Sequence, residues 1–286
     1  MRLDQLYRNS KRIDISIELF PPKTPEGTAK LFEKVEELRR LNPAFFSMTY
    51  GAGGSTADTT LGLVDHLKNK MGVETMCHLT VLGQTKEHTI SVLEHLQRIG
   101  VYNLIALRGD YPKEKPSVLE EEGFRHAWEL VREAKRRNFS IAVAGFPEWH
   151  PDSRNREDDV RFLKQKVDAG ADVIITQLFF DNEYFYTFVD FVRKAGIKIP
   201  VIPGLLPILS VKQVRRFTEL CKSKIPPKIQ SRLSKYEEDD EGARAFGIEL
   251  ATDQCHDLLH HGVPGLHFYA LNQSHSVESV LKNLNL

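Results

Sequence analysis

Residues 90–107 read Ile-Ser-Val-Leu-Glu-His-Leu-Gln-Arg-Ile-Gly-Val-Tyr-Asn-Leu-Ile-Ala-Leu, and this stretch decides the fold. Ile90, Leu93, Leu96 and Ile99 recur at helical spacing, which predicts one apolar face turned toward a core. Gly100 follows at once, and a glycine takes the left-handed conformation that ends a helix at little cost. Asn103–Leu107 is short and apolar on both faces, as a parallel strand covered on both sides is.

The same unit recurs along the chain. Leu61, Val64, Leu67 and Met71 form a stripe ahead of Gly72, and Phe124, Ala127, Val131 and Ala134 form another. Gly170, Gly196 and Gly262 again stand between a helical stripe and a strand. The predicted strands are Ile13–Leu19, Ala44–Tyr50, Val73–Thr80, Asn103–Leu107, Phe139–Ala144, Val173–Gln177, Pro200–Pro203 and Gly265–Tyr269. Eight βα units favour a closed barrel over an open sheet, and 286 residues suit a fold that typically takes roughly 250. No G-x-G-x-x-G follows the first strand, which weakens the dinucleotide-fold alternative. The longest connection, Ser210 to Pro264, has room for a helix, a loop around Ile225–Lys228, a charged stretch Glu237–Glu241 and a second helix. Val277, Val280, Leu281 and Leu284 mark a closing helix. The expectation is an α/β protein, residues 1–286 forming a single (βα)8 TIM barrel with no regulatory domain.

Composition narrows the class of protein. Lys plus Arg and Asp plus Glu are both 39, which argues against a nucleic-acid protein reliant on a basic excess. The apolar stretch Ile199–Leu209 has 11 residues and three prolines, too short and too broken for a span that needs ~20. Met1–Arg12 is polar and charged, without the look of a signal peptide. Cys77, Cys221 and Cys255 lack C-x-x-C spacing and read as reduced thiols in a cytoplasmic protein.

In a barrel the active site lies at the C-terminal ends of the strands. There the sequence places Glu18, Thr49 with Tyr50, His78, Arg108 with Asp110, Phe146 with His150, Gln177, and Tyr269 with Asn272. Glu18 sits inside the apolar run Ile15-Ser-Ile-Glu-Leu-Phe, where burial favours the protonated form of a carboxylate. It reads either as a proton donor or as a buried Glu paired with Arg or Lys. Arg108-Gly-Asp110 offers a phosphate partner, a close backbone approach and a negative charge, or a plain Arg–Asp pair at a turn. The loop Gly51-Ala-Gly-Gly54-Ser-Thr is rich in amides but is not a P-loop, because no Lys follows. His256 and His260 lie one helical turn apart beside Cys255 and His261, without H-x-H or H-E-x-x-H, so no metal site is expected. The aromatic stripe Phe179, Phe180, Tyr184, Phe185, Tyr186, Phe188 and Phe191 reads as barrel-to-helix packing with a possible subunit contact.

Eight motifs appear in order: Glu18-Leu-Phe-Pro-Pro-Lys, Thr49-Tyr-Gly-Ala, His78-Leu-Thr, Leu107-Arg-Gly-Asp, Phe146-Pro-Glu-x-His-Pro, Lys166-Val-Asp-Ala-Gly-Ala, Ile175-Thr-Gln and Leu266-His-Phe-Tyr-x-Leu-Asn. Together they resemble the catalytic barrel of the methylenetetrahydrofolate reductase family, of the stand-alone bacterial type. The resemblance implies bound FAD, reduction by NADH or NADPH, and conversion of 5,10-methylenetetrahydrofolate to 5-methyltetrahydrofolate. It implies that Glu18 is the general acid and that Asp110 lies near flavin and pterin. Thr49, Tyr50, Ala52, His78, Arg108, Gly109, Asp110, Ala127, Phe146, His150, Asp159 and Lys166 match flavin-contact positions. Gln177, Gln213, Phe217, Tyr269 and Gln273 match positions that hold folate or the nicotinamide. Relatives often carry Arg where this chain has Gln273, and Tyr is also common where it has Phe146. Ser210-x-x-Gln213 also reads as a helix capping box. The implied partners are a nicotinamide and a reduced folate, with a homo-oligomer and neither nucleic acid nor membrane. The competing classes are a metal-dependent barrel hydrolase or aldolase, and an inactive relative serving as a subunit.

Overall fold

The eight apolar runs become eight strands: β1 (Asp14–Leu19), β2 (Phe45–Met48), β3 (Thr75–Thr80), β4 (Asn103–Leu107), β5 (Ser140–Gly145), β6 (Val173–Leu178), β7 (Val201–Leu205) and β8 (Gly265–Tyr269). In this computed structural model, which describes residues 1–9, 13–50, 57–110 and 122–286, every neighbouring pair is parallel and β8 returns to β1. The expected barrel is thus closed. The helices are α1 (Leu3–Asn9), α2 (Pro25–Leu38), α3 (Ala57–Asp65), α4 (Lys86–Arg98), α5 (Ala127–Arg136), α6 (Arg156–Asp168), α7 (Asn182–Lys194), α8 (Val211–Cys221), α9 (Pro227–Leu233), α10 (Asp240–His260) and α11 (His275–Asn283).

Local chemistry sets many of these boundaries. Thr85, Asn155 and Ser210 each accept a hydrogen bond from a first-turn N–H with the side chain, satisfying a donor that has no partner within the helix. All five punctuating glycines have positive φ, from +66° at Gly72 to +119° at Gly170. α5 begins later than the predicted stripe. The Glu129 carboxylate accepts from the backbone N–H of Arg125 and of His126, fixing the start at Ala127 and leaving Phe124 outside. β3 begins at Thr75 rather than Val73, because the Val73 N–H closes the preceding helical turn on Leu67 O.

The sequence reading missed α1, a short charged segment whose order comes from tertiary bonds. Leu3 N–H donates to Asn103 Oδ1 at 3.1 Å and Asp4 N–H to Ser140 Oγ at 2.7 Å, pinning α1 under the first residues of β4 and β5. Leu3 completes an apolar cluster with Phe45, Met76, Ile105, Ala142, Val173, Ile175 and Ile202. The aromatic stripe packs as expected, with Phe179, Phe180, Phe185 and Phe188 buried. The expected loop at Ile225–Lys228 starts α9 instead, with a proline at its first turn, where a missing N–H costs nothing. A second apolar cluster, including Phe180, Ile208, Val214 and Phe246, seats α8, α9 and α10 on the barrel.

Strand alternation turns two groups of side chains inward. Met76, Ile105, Ala142, Val173 and Ile202 make up an apolar one, while Ser16, Glu18, Ser47, His78 and His267 form a buried polar one on β8, β1, β2 and β3. Gly204 on β7 leaves room for Tyr269, whose hydroxyl donates to Thr176 O at 2.7 Å. An added Cβ at Gly204 would sit 2.2 Å from Thr176 O and 2.8 Å from the Tyr269 ring. Gly204→Ala is therefore expected to lower stability by about 1–3 kcal/mol, the usual range for overpacking. Gly62→Ala, on the exposed face of α3 with nothing within 4 Å, is expected to raise it by about 0.5–1 kcal/mol. Urea denaturation of both variants reads the two signs.

Candidate active site

Glu18 is 7 % exposed at the upper end of β1. Among the described residues its ion-pair neighbours are histidines, not the Arg or Lys of the alternative reading. His267 Nε2 lies 3.4 Å from Glu18 Oε2 and His78 Nε2 lies 3.5 Å from it. Behind them the Ser16 hydroxyl is 2.8 Å from His267 Nδ1 and 3.4 Å from Leu266 O. These contacts follow from register, since Ser16 pairs with His267 and Glu18 with Tyr269 across β1 and β8. The chain Ser16–His267–Glu18 has two complementary hydrogen-bond arrangements. If the Ser16 hydroxyl donates to Nδ1, then Nε2 carries the hydrogen and donates to the carboxylate. If Nδ1–H donates to Ser16, then Ser16 donates to Leu266 O, and Nε2 accepts from a protonated Glu18. Burial pushes the His78 pKa down, against the Glu18 charge that raises it.

Arg108 and Asp110 leave β4 through Gly109. Gly109 has φ +82°, and a Cβ there would meet Thr80 Cβ at 2.9 Å. Asp110 is exposed. Arg108 does not form the turn pair with Asp110: its Nη2 donates to Asp152 Oδ2 at 2.7 Å. Asp152 N–H in turn donates to His150 Nδ1 at 3.1 Å, and the Phe146 ring meets His150 edge-on at 4.6 Å. Lys166 Nζ donates to Ala144 O at 2.7 Å, and burial lowers its pKa to about 8 against the nearby Asp159 charge. Burial likewise raises Asp159, offset by Lys166 and His150. Arg108, His150, Asp152, Asp159 and Lys166 thus gather at the ends of β4 and β5.

The remaining residues ring the mouth. Thr49 donates its hydroxyl to Leu19 O at 2.7 Å. Tyr50 is buried and its hydroxyl is pushed up to about 12 by burial. Ala127 opens α5. Gln177 Oε1 accepts from its own neighbour's Leu178 N–H at 2.8 Å. Ser210 caps α8 as the sequence predicts, accepting from Gln213 N–H, while Gln213 Oε1 accepts from Leu209 N–H at 3.2 Å. Phe217, one turn along α8, meets Phe20 edge-on at 6.3 Å. Asn272 accepts from Phe20 N–H and donates to Phe20 O, both at 2.9 Å, tying the end of β8 to the end of β1. Gln273 is exposed on the rim just beyond. The Cys221 thiol at the end of α8 is pushed up to about 11 by burial, with Glu18 and Asp110 adding to it. Ala52 and the Gly51–Gly54 loop lie outside the described residues.

Sequence reasoning did not assign roles to Ser16, His267 and Asp152. The signal for the first two was present: inward residues alternate, so Ser16 shares a face with Glu18, and His267 shares one with Tyr269. Among the described residues no group of three or more His, Cys, Asp or Glu side chains is arranged to hold a metal ion. His261 contacts Tyr186 and Asp257 instead. No helix among the described residues is long and apolar enough to cross a membrane.

Residues 2–285 match the family model for methylenetetrahydrofolate reductase. The chain belongs to that family. It is 41% identical over 284 residues to methylenetetrahydrofolate reductase (NADH) 1 of Arabidopsis thaliana, covering 95% of this chain and 48% of the plant protein. It is 34% identical over 278 residues to 5,10-methylenetetrahydrofolate reductase of Escherichia coli, covering 96% of this chain and 92% of that one. The chain therefore spans about half the length of the plant relatives that it matches and most of the bacterial one. The barrel aligns with a Clostridium thermocellum protein that binds two copies of 5-methyl-5,6,7,8-tetrahydrofolic acid, at a TM-score of 0.66 and 16% identity, covering 98% and 97% of the two chains. That likeness is one of fold.

The placement of Lys166 has a direct consequence. Side-chain 15N NMR is expected to show one lysine titrating near pH 8, below the surface lysines. Asp159→Asn removes the charge that holds this value up and should shift the midpoint lower still. An upward shift would show that Asp159 does not face Lys166.

Proposed function

We propose that the chain is a flavin-dependent methylenetetrahydrofolate reductase that converts 5,10-methylenetetrahydrofolate to 5-methyltetrahydrofolate with electrons from NADH or NADPH. The family match along nearly the whole chain supports the reaction class. The observation that carries the reading is the buried Glu18 carboxylate, placed at the mouth of the barrel with His267 and Ser16 behind it.

The residues at the mouth fit a flavin. Tyr50 Oη, Thr80 Oγ1 and His78 Nδ1 are buried without a hydrogen-bond partner, as is Gln213 Nε2 on α8, and His78 Nε2 has only the Glu18 carboxylate 3.5 Å away. Each such group costs about 1–3 kcal/mol, so four residues of this kind around one opening suit a polar ligand that completes them. Bound FAD supplies two-electron transfer between the nicotinamide and the folate. In this reading Arg108 and Lys166 provide positive charge for its diphosphate, Lys166 only below pH about 8, and His150, which burial keeps toward its neutral form, offers a ring N–H. Thr49, Tyr50, Ala52, His78, Gly109, Ala127, Phe146 and Asp159 shape the rest of that site. Gln177, Gln213, Phe217 and Tyr269 face the folate or nicotinamide, and Gln273 meets the folate tail.

The methylene bridge of the folate is neutral and becomes electrophilic only after one of its nitrogens is protonated. Glu18 is the group placed to give that proton. His267 stabilises both states of Glu18, donating to the carboxylate and accepting from the acid, while Ser16 follows the tautomer. Asp110 offers negative charge to the developing cation.

Glu18→Gln keeps the shape and loses the proton. Anaerobic stopped-flow absorbance is expected to show flavin reduction by the nicotinamide at close to the wild-type rate. Folate reduction should fall by at least ~10²–10⁴-fold, the range of a general acid. Folate turnover near wild type would assign the proton to another group, and a colourless wild-type protein that takes up no flavin would overturn the reading. Gln273→Arg is expected to lower the folate KM by up to about tenfold with kcat unchanged, because the tail carboxylates keep their charge throughout the reaction.

A further inference from the structure

The β5–α6 loop has a second side that the site above does not use. Trp149 N–H donates to Phe146 O at 2.9 Å, closing a turn through Pro147 and Glu148, and Trp149 itself has φ +55°. A bulky residue in that region is held there by its surroundings. The turn faces Phe146 and His150 toward Arg108 and Asp152, and it sends Glu148 the other way. Both Glu148 oxygens accept from the backbone N–H of Lys224, at 3.0 and 3.2 Å. The Lys224 ammonium lies 5.5 Å from the Trp149 ring centroid and 6.0 Å from that of Tyr184. Lys224 stands three residues past the end of α8, beyond Lys222, whose φ of +57° ends that helix. Ser223 adds a tie from its hydroxyl to Leu178 O at 2.9 Å. The C-terminal end of α8 thus rests on β6 and on the loop that carries His150.

We propose that Glu148 is a positioning residue: through Lys224 it holds α8 over the barrel mouth, so that Gln213 and Phe217 are placed by the same loop that places Phe146 and His150. The inference rests on the reading of α8 as the face toward folate or nicotinamide. A carboxylate that accepts a backbone N–H forms a charge-assisted bond, stronger than a neutral one. The Lys224 side chain adds a cation–π contact on the same turn. Loosening this strap frees α8 from its C-terminal end while leaving Glu18, His267 and Ser16 untouched on their strands. The effect belongs in substrate affinity rather than in proton transfer.

The test uses the flavin-loaded full chain as wild type, Glu148→Ala and Glu148→Gln, with amide hydrogen exchange and steady-state kinetics. In Glu148→Ala, exchange at residues 218–224 is expected to rise about tenfold or more, at the low end for loss of a hydrogen bond to a charged group. The KM for folate or nicotinamide should rise by about the same factor, with kcat within about twofold. Glu148→Gln keeps an acceptor oxygen and should restore most of both. Unchanged exchange in Glu148→Ala overturns the strap, and faster exchange with unchanged KM overturns the positioning role. Release of flavin without a change at α8 also overturns it, assigning Glu148 to the flavin loop alone. A wild-type chain that turns over no folate overturns the functional reading instead, and the exchange measurement then decides the strap by itself.

Discussion

A carboxylate inside a closed barrel constrains everything around it. Removing a charged group from water costs several kcal/mol unless polar partners replace the hydration. Glu18 is answered by His267 and His78, and His267 by Ser16, all on strands that adjoin β1 or lie next but one to it. The partners of Glu18 are therefore on strands close to β1 instead of being scattered around the ring. A separate apolar cluster of inward residues carries the packing that holds the strands and α1 together. Tyr269 and Gly204 fit together, a large ring on one strand lying against the missing side chain of the next.

The mouth of the barrel divides in two. Glu18, His267 and His78 sit buried on β1, β8 and β3. Positive charge sits at the end of β4 and on α6, where Arg108 is balanced by Asp152 and Lys166 by Asp159, with His150 between them. The separation keeps the cations that would suit a diphosphate from pairing directly with Glu18. α8 spans the gap from a different direction, close enough for its Cys221 to respond to both Glu18 and Asp110.

Much of this was legible in the sequence, for identifiable reasons. Helix–glycine–strand punctuation is local, and each glycine needed only its own backbone conformation to reveal a boundary. The strand-end residues were legible because eight short runs set a common register. What was not legible depends on residues far apart. Asp152 captures Arg108 across 44 positions, and nothing near either residue marks the pair. His267 meets Ser16 across 251 positions, so its role appears only once β8 is laid beside β1. α1 escaped because its few apolar residues are ordered by the amides of Asn103 and the hydroxyl of Ser140, not by its own periodicity.

The pinning of α1 bears on how the chain assembles. Its anchors lie 100 and 136 residues downstream, and Ser16 is joined to Leu266 across 250. During synthesis the first strand emerges with its carboxylate and serine already in place, but the histidine that satisfies them arrives with the last strand. Until then β1 is an open edge with unpaired amides along one side, the surface on which sheets pair wrongly with other chains. Loop closure over such separations is slow, because the ordering must be completed before the distant contacts form. The hydrogen bonds that hold α1 can form once β5 exists, its apolar cluster is complete only with β7, and the ring closes only with β8. The hydrogen bonds that join His267 to Ser16 and Glu18 are thus among the last to form as the protein acquires its native state.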